Sequence, residues 1–441
     1  MNIFFTSKGG IIPMKHIYSI VFTLLITILL FCPAPTCHAA GETYYYNITD
    51  FGANGTDKDD DRRAIQKALD MAGDDFNIEV IVPDGTYYID STLYIQSNTT
   101  LRLSDNATIK RSFEGLETNM LKNADAQHKT TNGKGYKLSQ NILITGGVWD
   151  GGDIAEAVIN SNLLYFGHAK NIIIKNTTIK NCYGAHAIEF AGVRDSTINQ
   201  CKISGFRYGE NKFTSEAIQL DICYKDKKDG AWAPGFVADK TPCTNITITN
   251  NTITDYPSGL GIHHTLSGRR CSNITISNNT FNRSSVSKQS KAVAGIFLWG
   301  TDNVSISKNK FNYYNYGAII KKSTRLAIHN NVFKYNNYGT LTLEFCDHNN
   351  GRRNFSIVAK KKLPNDPITL QKELKKFQFV CSYINSGSVK INGSTYKFNS
   401  AKAKKTKTLK QAVQNKQTVH FYGKDSWGNR YYQKRTISLP K

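Results

Sequence analysis

The segment Ser215-Glu-Ala-Ile-Gln-Leu-Asp221 alternates like a β-strand yet carries acid at Glu216 and Asp221. An earlier segment, His186-Ala-Ile-Glu189-Phe-Ala, adds a third carboxylate and an imidazole, and a later one, Gly259-Leu-Gly-Ile-His263-His264, adds two more imidazoles. Carboxylates and imidazoles gathered on one face are the equipment of general acid–base chemistry. If the first two segments are adjacent strands, Glu189 and Asp221 are one strand and two residues apart, about 8 Å on the diagonal. That suits the wider carboxylate spacing of an inverting glycosidase, with water between. Glu189 with Glu216 is a second candidate pair. Glu216 and Asp221, about 16 Å apart along one strand, are too distant for a simple pair.

Parity with Ile218 directs Glu189, Gln219 and His263 toward solvent in one column and Asp221, Thr265, Trp299 and Lys322 in the next. Glu216 has inward parity, but its place at the strand start lets the turn aim it into the cleft beside His186. His186 and His263 then tune or orient the acids, while His264 points inward. The insertion from Ile222 to Cys243 swells one unit only, and long loops on a rigid scaffold commonly build a binding wall. Tyr224, Trp232 and Phe236 offer flat faces for sugar rings there, with Trp299 on the floor and Gln219 and Lys322 as polar contacts. No compact ligand spacing, phosphate loop or nucleotide fingerprint is present, so neither a metal nor a cofactor is expected. Lys321, Lys322, Arg269 and Arg270 keep proton abstraction from a uronate open as an alternative.

The element that must position these residues is a repeat. Asn171-Ile-Ile-Ile-Lys-Asn-Thr-Thr-Ile returns from Asn245, Asn273, Asn303 and Arg325, with a worn copy at Asp195. Each copy reads as a strand, a bend and the first core residue of the next strand. One unit cannot bury its own face, but stacked units can, which predicts an all-β, right-handed parallel β-helix, a single-stranded solenoid. Asn251, Asn279, Asn309 and Asn331 share one position and are expected to form a structural ladder. In the second strand set, Ile188, Ile218, Ile262, Ile296, Ile319 and Leu343 are the expected inward residues. Cys243 and Cys271 fall at one point of adjacent rungs, about 4.8 Å apart, as a disulfide or as two buried thiols. Upstream, Ala64, Ile65, Ala68 and Leu69 lie on one face of a helix expected to cap the solenoid.

Residues 1–40 contain a cation followed by an apolar run and small residues, which predicts a secretory signal, an exported protein and no membrane span. Residues 41–350 form the predicted solenoid. Residues 351–441 hold 21 Lys and Arg against Asp366, Glu373 and Asp425, so they carry +18 of the total +22. This predicts a separate small β-domain whose partner is an anionic wall or matrix polymer; export argues against nucleic acid.

Ile48-Thr-Asp-Phe-Gly-Ala-Asn-Gly followed by Val80-Ile-Val-Pro-Asp-Gly-Thr-Tyr-Tyr-Ile resembles the entry to the pectate lyase and polygalacturonase superfamily. Ile144-Thr-Gly-Gly-Val-Trp-Asp-Gly-Gly resembles an early rung of its glycoside hydrolase family 28 branch. The resemblance implies a β-helix over roughly residues 45–350 and activity on polysaccharide. It also shows departures: His186 stands where that branch has an Asp, Ser215-Glu216 where it has Asp-Asp, Leu260 where it has the His of Gly-His-Gly, and Ile320 where it has Arg. Glu216, as a carboxylate, and Lys322 match. The C-terminal region is similar to bacterial Ig-like modules. The expected function is therefore glycosidic-bond hydrolysis of a polysaccharide by a secreted enzyme, with lyase or epimerase chemistry and non-catalytic glycan binding as the alternatives.

Overall fold

In a computed structural model the described residues are 41–112, 119–125, 130–152, 162–207, 215–226, 230–231, 234–263, 268–284, 294–336, 339–344, 346, 353–355, 376–380, 386–391, 393–398, 404–408 and 416–438. The expected signal over 1–40 and residues Trp232, His264 and Thr265 lie outside them.

Each repeat phrase folds as a strand, a left-handed kink and a shorter strand. Thr244–Thr249 is followed by Asn250 at φ 59° and then by Thr252–Thr254, and Ser272–Ser277 by Asn278 at φ 57° and Thr280–Asn282. Asn occupies this kink because it tolerates positive φ better than most side chains. Copies stack in parallel register, with Ile174 opposite Ile198 and then Ile248, Ile276, Ile306 and Ile328 in line. These isoleucines are buried, and burying each is worth about 1.5–3 kcal/mol. Among the described residues the stacking yields two ten-stranded sheets and one of thirteen strands. This is the expected parallel β-helix.

The residue after each kink supplies the ladder. Asn251 donates its amide N–H to Asn279 Oδ1 (2.9 Å), Asn279 to Asn309 Oδ1 (2.9 Å) and Asn309 to Asn331 Oδ1 (3.0 Å). Each side-chain NH₂ also donates to an isoleucine carbonyl of the previous rung, for example Asn279 Nδ2 to Ile248 O at 2.9 Å. The bend's buried polar groups are thereby satisfied. Two residues on, Phe281, Phe311 and Phe333 stack with ring centroids 5.0 and 4.8 Å apart.

The ladder runs into the basic C-terminal region. Asn331 N donates to Asn429 Oδ1 (2.9 Å), Tyr431 stacks on Phe333 (5.3 Å), and Val332–Lys334 pairs in parallel with Arg430–Tyr432. Asp425 holds Asn429 in place, accepting from its backbone N (2.9 Å) and side chain (3.0 Å) and from the Tyr431 hydroxyl (2.6 Å). Hydrogen bonding is therefore continuous across the expected boundary near residue 351. The strands Ser386–Ile391, Ser394–Phe398, Lys416–Lys424 and Arg430–Ser438 extend the third sheet of the solenoid as an antiparallel meander.

At the other end, helix Arg62–Leu69 buries Ala64, Ile65, Ala68 and Leu69 as expected. Gln66 Oε1 accepts from Tyr94 N (2.8 Å) and Gln66 Nε2 donates to Tyr94 O (2.9 Å), which covers the edge of strand Leu93–Ile95. Cys243 and Cys271 are stacked, buried, free thiols. In the second strand set the inward row is Ile188, Ile218, Leu260, Ile296, Ala318 and Leu341. The row departs from the expected one because the connecting segments differ in length: Ile262 is buried in the next row, Leu343 is in register with Ile320 of that row, and Ile319 aligns with Phe297 on the outer face. Among the described residues no helix is long and apolar enough to cross a membrane.

Asn279→Ala would strand the Asn251 amide and the Ile248 carbonyl, at about 1–3 kcal/mol each. The expected result is a loss of at least about 2 kcal/mol in chemical unfolding. Asn429→Ala should free the terminal meander, read as faster limited proteolysis after Asn331. Wild-type proteolysis in the second variant would show that the meander does not depend on the ladder.

Candidate active site

Three neighbouring strands position the chemistry. His186 precedes Ile188–Ala191, which carries Glu189; the next rung, Glu216–Asp221, carries Glu216, Gln219 and Asp221; His263 comes directly after Ser258–Ile262. Glu216 reaches the outer face through a parity slip. Ala217 and Ile218 are both fully buried, and the rung partner of Ala217, Gly259, has its missing Cβ aimed at the Phe281 ring inside the core. Two successive inward residues turn Glu216 outward, onto the same side as Gln219.

Gly261 leaves the space in which Glu216, Gln219 and His263 meet. It pairs with Gln219, and a Cβ there would meet Glu216 Cγ at 2.4 Å, Gln219 Oε1 at 2.6 Å and His263 Nε2 at 2.7 Å. His263 Nε2 lies 2.9 Å from Glu216 Oε1 as an ion pair. His186 Nδ1 lies 2.9 Å from the Glu216 carbonyl and 3.7 Å from Glu216 Oε2. The imidazole of His263 thus connects Glu216 with the neighbourhood of Asp221, which distance along the strand alone separates. Gln219 Nε2 donates to Asp221 Oδ1 (2.8 Å), and Asn162, whose Oδ1 accepts from His186 N (3.0 Å), donates its Nδ2 to Glu189 Oε2. Glu189 Oε1 and Gln219 Oε1 are buried without a hydrogen-bond partner among the described residues.

The site residues do not stand in solvent as parity alone predicts. Glu189, Gln219, Asp221 and Glu216 are 2–6% exposed; the openings are at His263 and His186, whose side chains are 30% and 20% exposed. The insertion packs on the rung beside Glu189. Phe236 packs edge-on to Tyr165 (4.8 Å), Lys122 Nζ donates to Gly235 O (3.1 Å) and lies 4.3 Å over the Phe236 ring, and a Cβ on Gly167 would strike that ring at 2.4 Å. Tyr224 is half-buried against the core, so it is not a free platform. Trp299 is exposed, and its rung partner is Lys321 rather than Lys322; Lys322 sits at φ 48° on the turn with Nζ 5.8 Å over the Trp299 ring. In the same way Gly261, two residues before His263, takes the place beside Gln219 that parity assigned to the histidine.

Sequence reasoning missed Asn162, Tyr165 and Lys122. Tyr165 pairs with Glu189 in register and Lys122 with Tyr165, which extends the site column two rungs toward the N-terminus. The signal available was the strand Leu164-Tyr-Phe-Gly167, whose alternation places Tyr165 outward.

Burial raises Glu189 well above the carboxylate range, and the Asp221 charge adds to it against Asn162 and Lys122. Burial also pushes Asp221 up to about 7, opposed by His263 and Gln219. For Glu216 burial acts in the same direction, but the charge and hydrogen bond of His263, with His186 behind them, hold it below its ordinary value. Burial disfavours charge on His263, yet Glu216 and Asp221 raise it to about 9, while burial outweighs Glu216 at His186 and lowers it. Lys122 falls to about 8 through burial. These shifts favour the neutral form of Glu189 and the ionised form of Glu216 against the His263 imidazolium, and bring Asp221 to about 7.

Residues 45–253 match the family described as rhamnogalacturonase A/epimerase, pectate lyase-like, and residues 237–355 match the periplasmic copper-binding protein NosD family. The chain is a right-handed β-helix protein that is similar to the pectate lyase-like family over residues 45–253. Plasmin and fibronectin-binding protein A of Streptococcus pneumoniae is 29% identical to this β-helix protein over 177 residues, which is 36% of this chain and 24% of that relative. The match thus spans about a quarter of the relative's length. Two solved structures of the pneumococcal surface adhesin PfbA share the fold, with TM-scores of 0.53 and 0.52 at 21% and 23% identity. They cover 69% and 68% of this chain and 75% and 78% of theirs. Among the described residues no three His, Cys, Asp or Glu side chains group to hold a metal ion.

Linkage gives the sign of the pH dependence. The raised Asp221 contributes stability that is full below its ordinary 3.8 and is lost as pH climbs through about 7. His263 behaves likewise, losing its contribution as pH rises through about 9, whereas that of Glu216 is present above 4.5 and lost on acidification. Asp221→Asn keeps the acceptor for Gln219 and removes the titration. Its melting temperature should exceed that of the wild type at pH 8 and approach it at pH 4; an equal deficit at both would contradict the assignment.

Proposed function

We propose that this chain cleaves a polysaccharide by glycosidic-bond hydrolysis at the Glu189–Asp221–Glu216 face. The observation that carries this reading is that three buried carboxylates on two adjacent rungs have different partners, His263 at Glu216, Asn162 at Glu189 and Gln219 at Asp221, which shift their proton affinities in different directions, and environments that push such groups apart separate an acid from a base. Glu189, neutral, donates its proton to the glycosidic oxygen as the C–O bond breaks. Asp221 takes a proton from the water whose oxygen bonds to the anomeric carbon. One rung and two residues separate them, about 8 Å, within the range in which such a pair admits a water and inverts the anomeric centre. Glu216, held ionised by His263 and His186, orients this pair. The unpaired Glu189 and Gln219 oxygens are polar groups that substrate would meet, and Trp299 and Lys322 extend the face. The apolar run before residue 40 supports export, and the +18 over 351–441 supports attachment to an anionic wall or matrix polymer.

A second reading is binding without cleavage. It is favoured by the relative named for plasmin and fibronectin binding and by the deep burial of Glu189, Gln219 and Asp221.

The test is purified protein against acidic and neutral polysaccharides, with reducing ends and ultraviolet absorbance read together. Hydrolysis is expected to give reducing ends without absorbance and to fall about 10²–10⁴-fold in Glu189→Gln. Absorbance would mean elimination. Glycan binding without new ends, unchanged in the variant, would establish the binding reading.

A further inference from the structure

Away from this face, the terminal meander carries two adjacent cross-strand rows on the side opposite its packed residues. Ser388, Tyr422 and Tyr432 are paired across three strands, and Lys390, His420 and Lys434 form the next row. Val389, Val419 and Tyr431, of the other parity, are buried, so both rows lie on the outer face. Lys390, His420 and Lys434 are exposed, and among the described residues no carboxylate pairs with them. Basic side chains set directly opposite one another weaken a sheet unless an anion joins them.

The tyrosines are arranged as a surface. Tyr422 and Tyr432 lie 5.1 Å apart, Lys334 Nζ sits 5.5 Å over the Tyr432 ring, and Tyr313 and Tyr335 stack at 4.9 Å on the neighbouring turns of the solenoid. Tyr335, Tyr422, Tyr432, Lys390 and His420 line a cavity of about 130 Å³ where the last rung meets the meander. That is small beside the roughly 300–1,000 Å³ of an enclosing ligand pocket. It suits one ring of a longer chain lying across the surface. Aromatic rings present an apolar face with a polar rim, which matches a pyranose, and the cationic row matches an acidic substituent on it.

We infer that this junction is a binding subsite for an anionic sugar unit, carboxylated or sulfated, of an extended polysaccharide. It rests on the polyanion partner proposed above and not on the hydrolytic site. The Asn429 and Tyr431 contacts that continue the solenoid's ladder and stack also join the two halves of this subsite, since Tyr335 comes from the last rung and the cations from the meander.

The test is calorimetric titration of the purified protein with an oligogalacturonate, a sulfated galactan oligosaccharide and a neutral galactan oligosaccharide of equal length. Either acidic probe should bind, and which binds tighter identifies the substituent, while the neutral one should bind at least tenfold more weakly. Lys390→Gln with Lys434→Gln, and separately Tyr422→Ala, should each weaken acidic binding at least tenfold, with the melting temperature of the unliganded paired charge variant no lower than that of the wild type. Adding the paired charge change to a Glu189→Gln background should still weaken acidic binding at least tenfold, so failure of hydrolysis and failure of this subsite are separately visible. Equal affinity for the neutral probe, wild-type affinity in the charge and tyrosine variants, or no acidic binding by the wild type would each overturn the assignment.

Discussion

The step of about 4.8 Å between parallel rungs is the constraint from which the described side chains of the candidate site take their positions. Backbone hydrogen bonds set the step, and the asparagine ladder fixes its register, because each Oδ1 accepts from the amide of one neighbouring rung while each Nδ2 donates to a carbonyl of it. A slip of one residue would break this pairing in a buried bend where water cannot compensate. With register fixed, Glu189 lies beside Gln219, Gly261 lies beside Gln219 in turn, and His263 is carried to Glu216. The same ladder ends on Asn429, so the basic terminal strands are built onto the solenoid rather than merely tethered to it.

Burying Glu189, Glu216 and Asp221 on one face is expensive, since charges leave water. The fold offsets this by letting the charges differ. Glu216 and His263 compensate each other at 2.9 Å, Asn162 and Gln219 donate to Glu189 and Asp221, and Glu189 stays neutral. Gly261 is the steric condition for the arrangement, as any side chain there would occupy the space between Glu216, Gln219 and His263. Burial of this face separates the proton affinities of the acids, and the opening is at the two imidazoles.

Much of the solenoid was legible because a period of two, a kink Asn and a ladder Asn recur at constant internal spacing in each phrase. The helix over Ala64, Ile65, Ala68 and Leu69 was legible from its one apolar face. What was not legible depends on unequal connections. The segments between Asp221 and Thr244 and between Ile262 and Ser272 have different lengths, so parity alone sets His263 beside Gln219 and Lys322 beside Trp299, where the structure has Gly261 and Lys321. Parity also misjudged exposure, because it says which side a residue faces and not whether a remote loop covers that side. The final rung was hidden differently. Gly428-Asn-Arg-Tyr431 repeats the pattern of Asn330-Asn-Val-Phe333, but nearly a hundred residues intervene and Gly replaces Asn at the kink, where its φ is 80°.

The measurement that tests the acid–base chemistry most directly is a carbon-13 NMR titration of the side-chain carboxyls of Glu189, Glu216 and Asp221, assigned with single Gln or Asn variants. Glu216 should be ionised at pH 5, Asp221 should change near pH 7, and Glu189 should still be protonated there. Ionisation of all three below pH 5 would contradict this division of roles and leave the face without a proton donor at neutral pH.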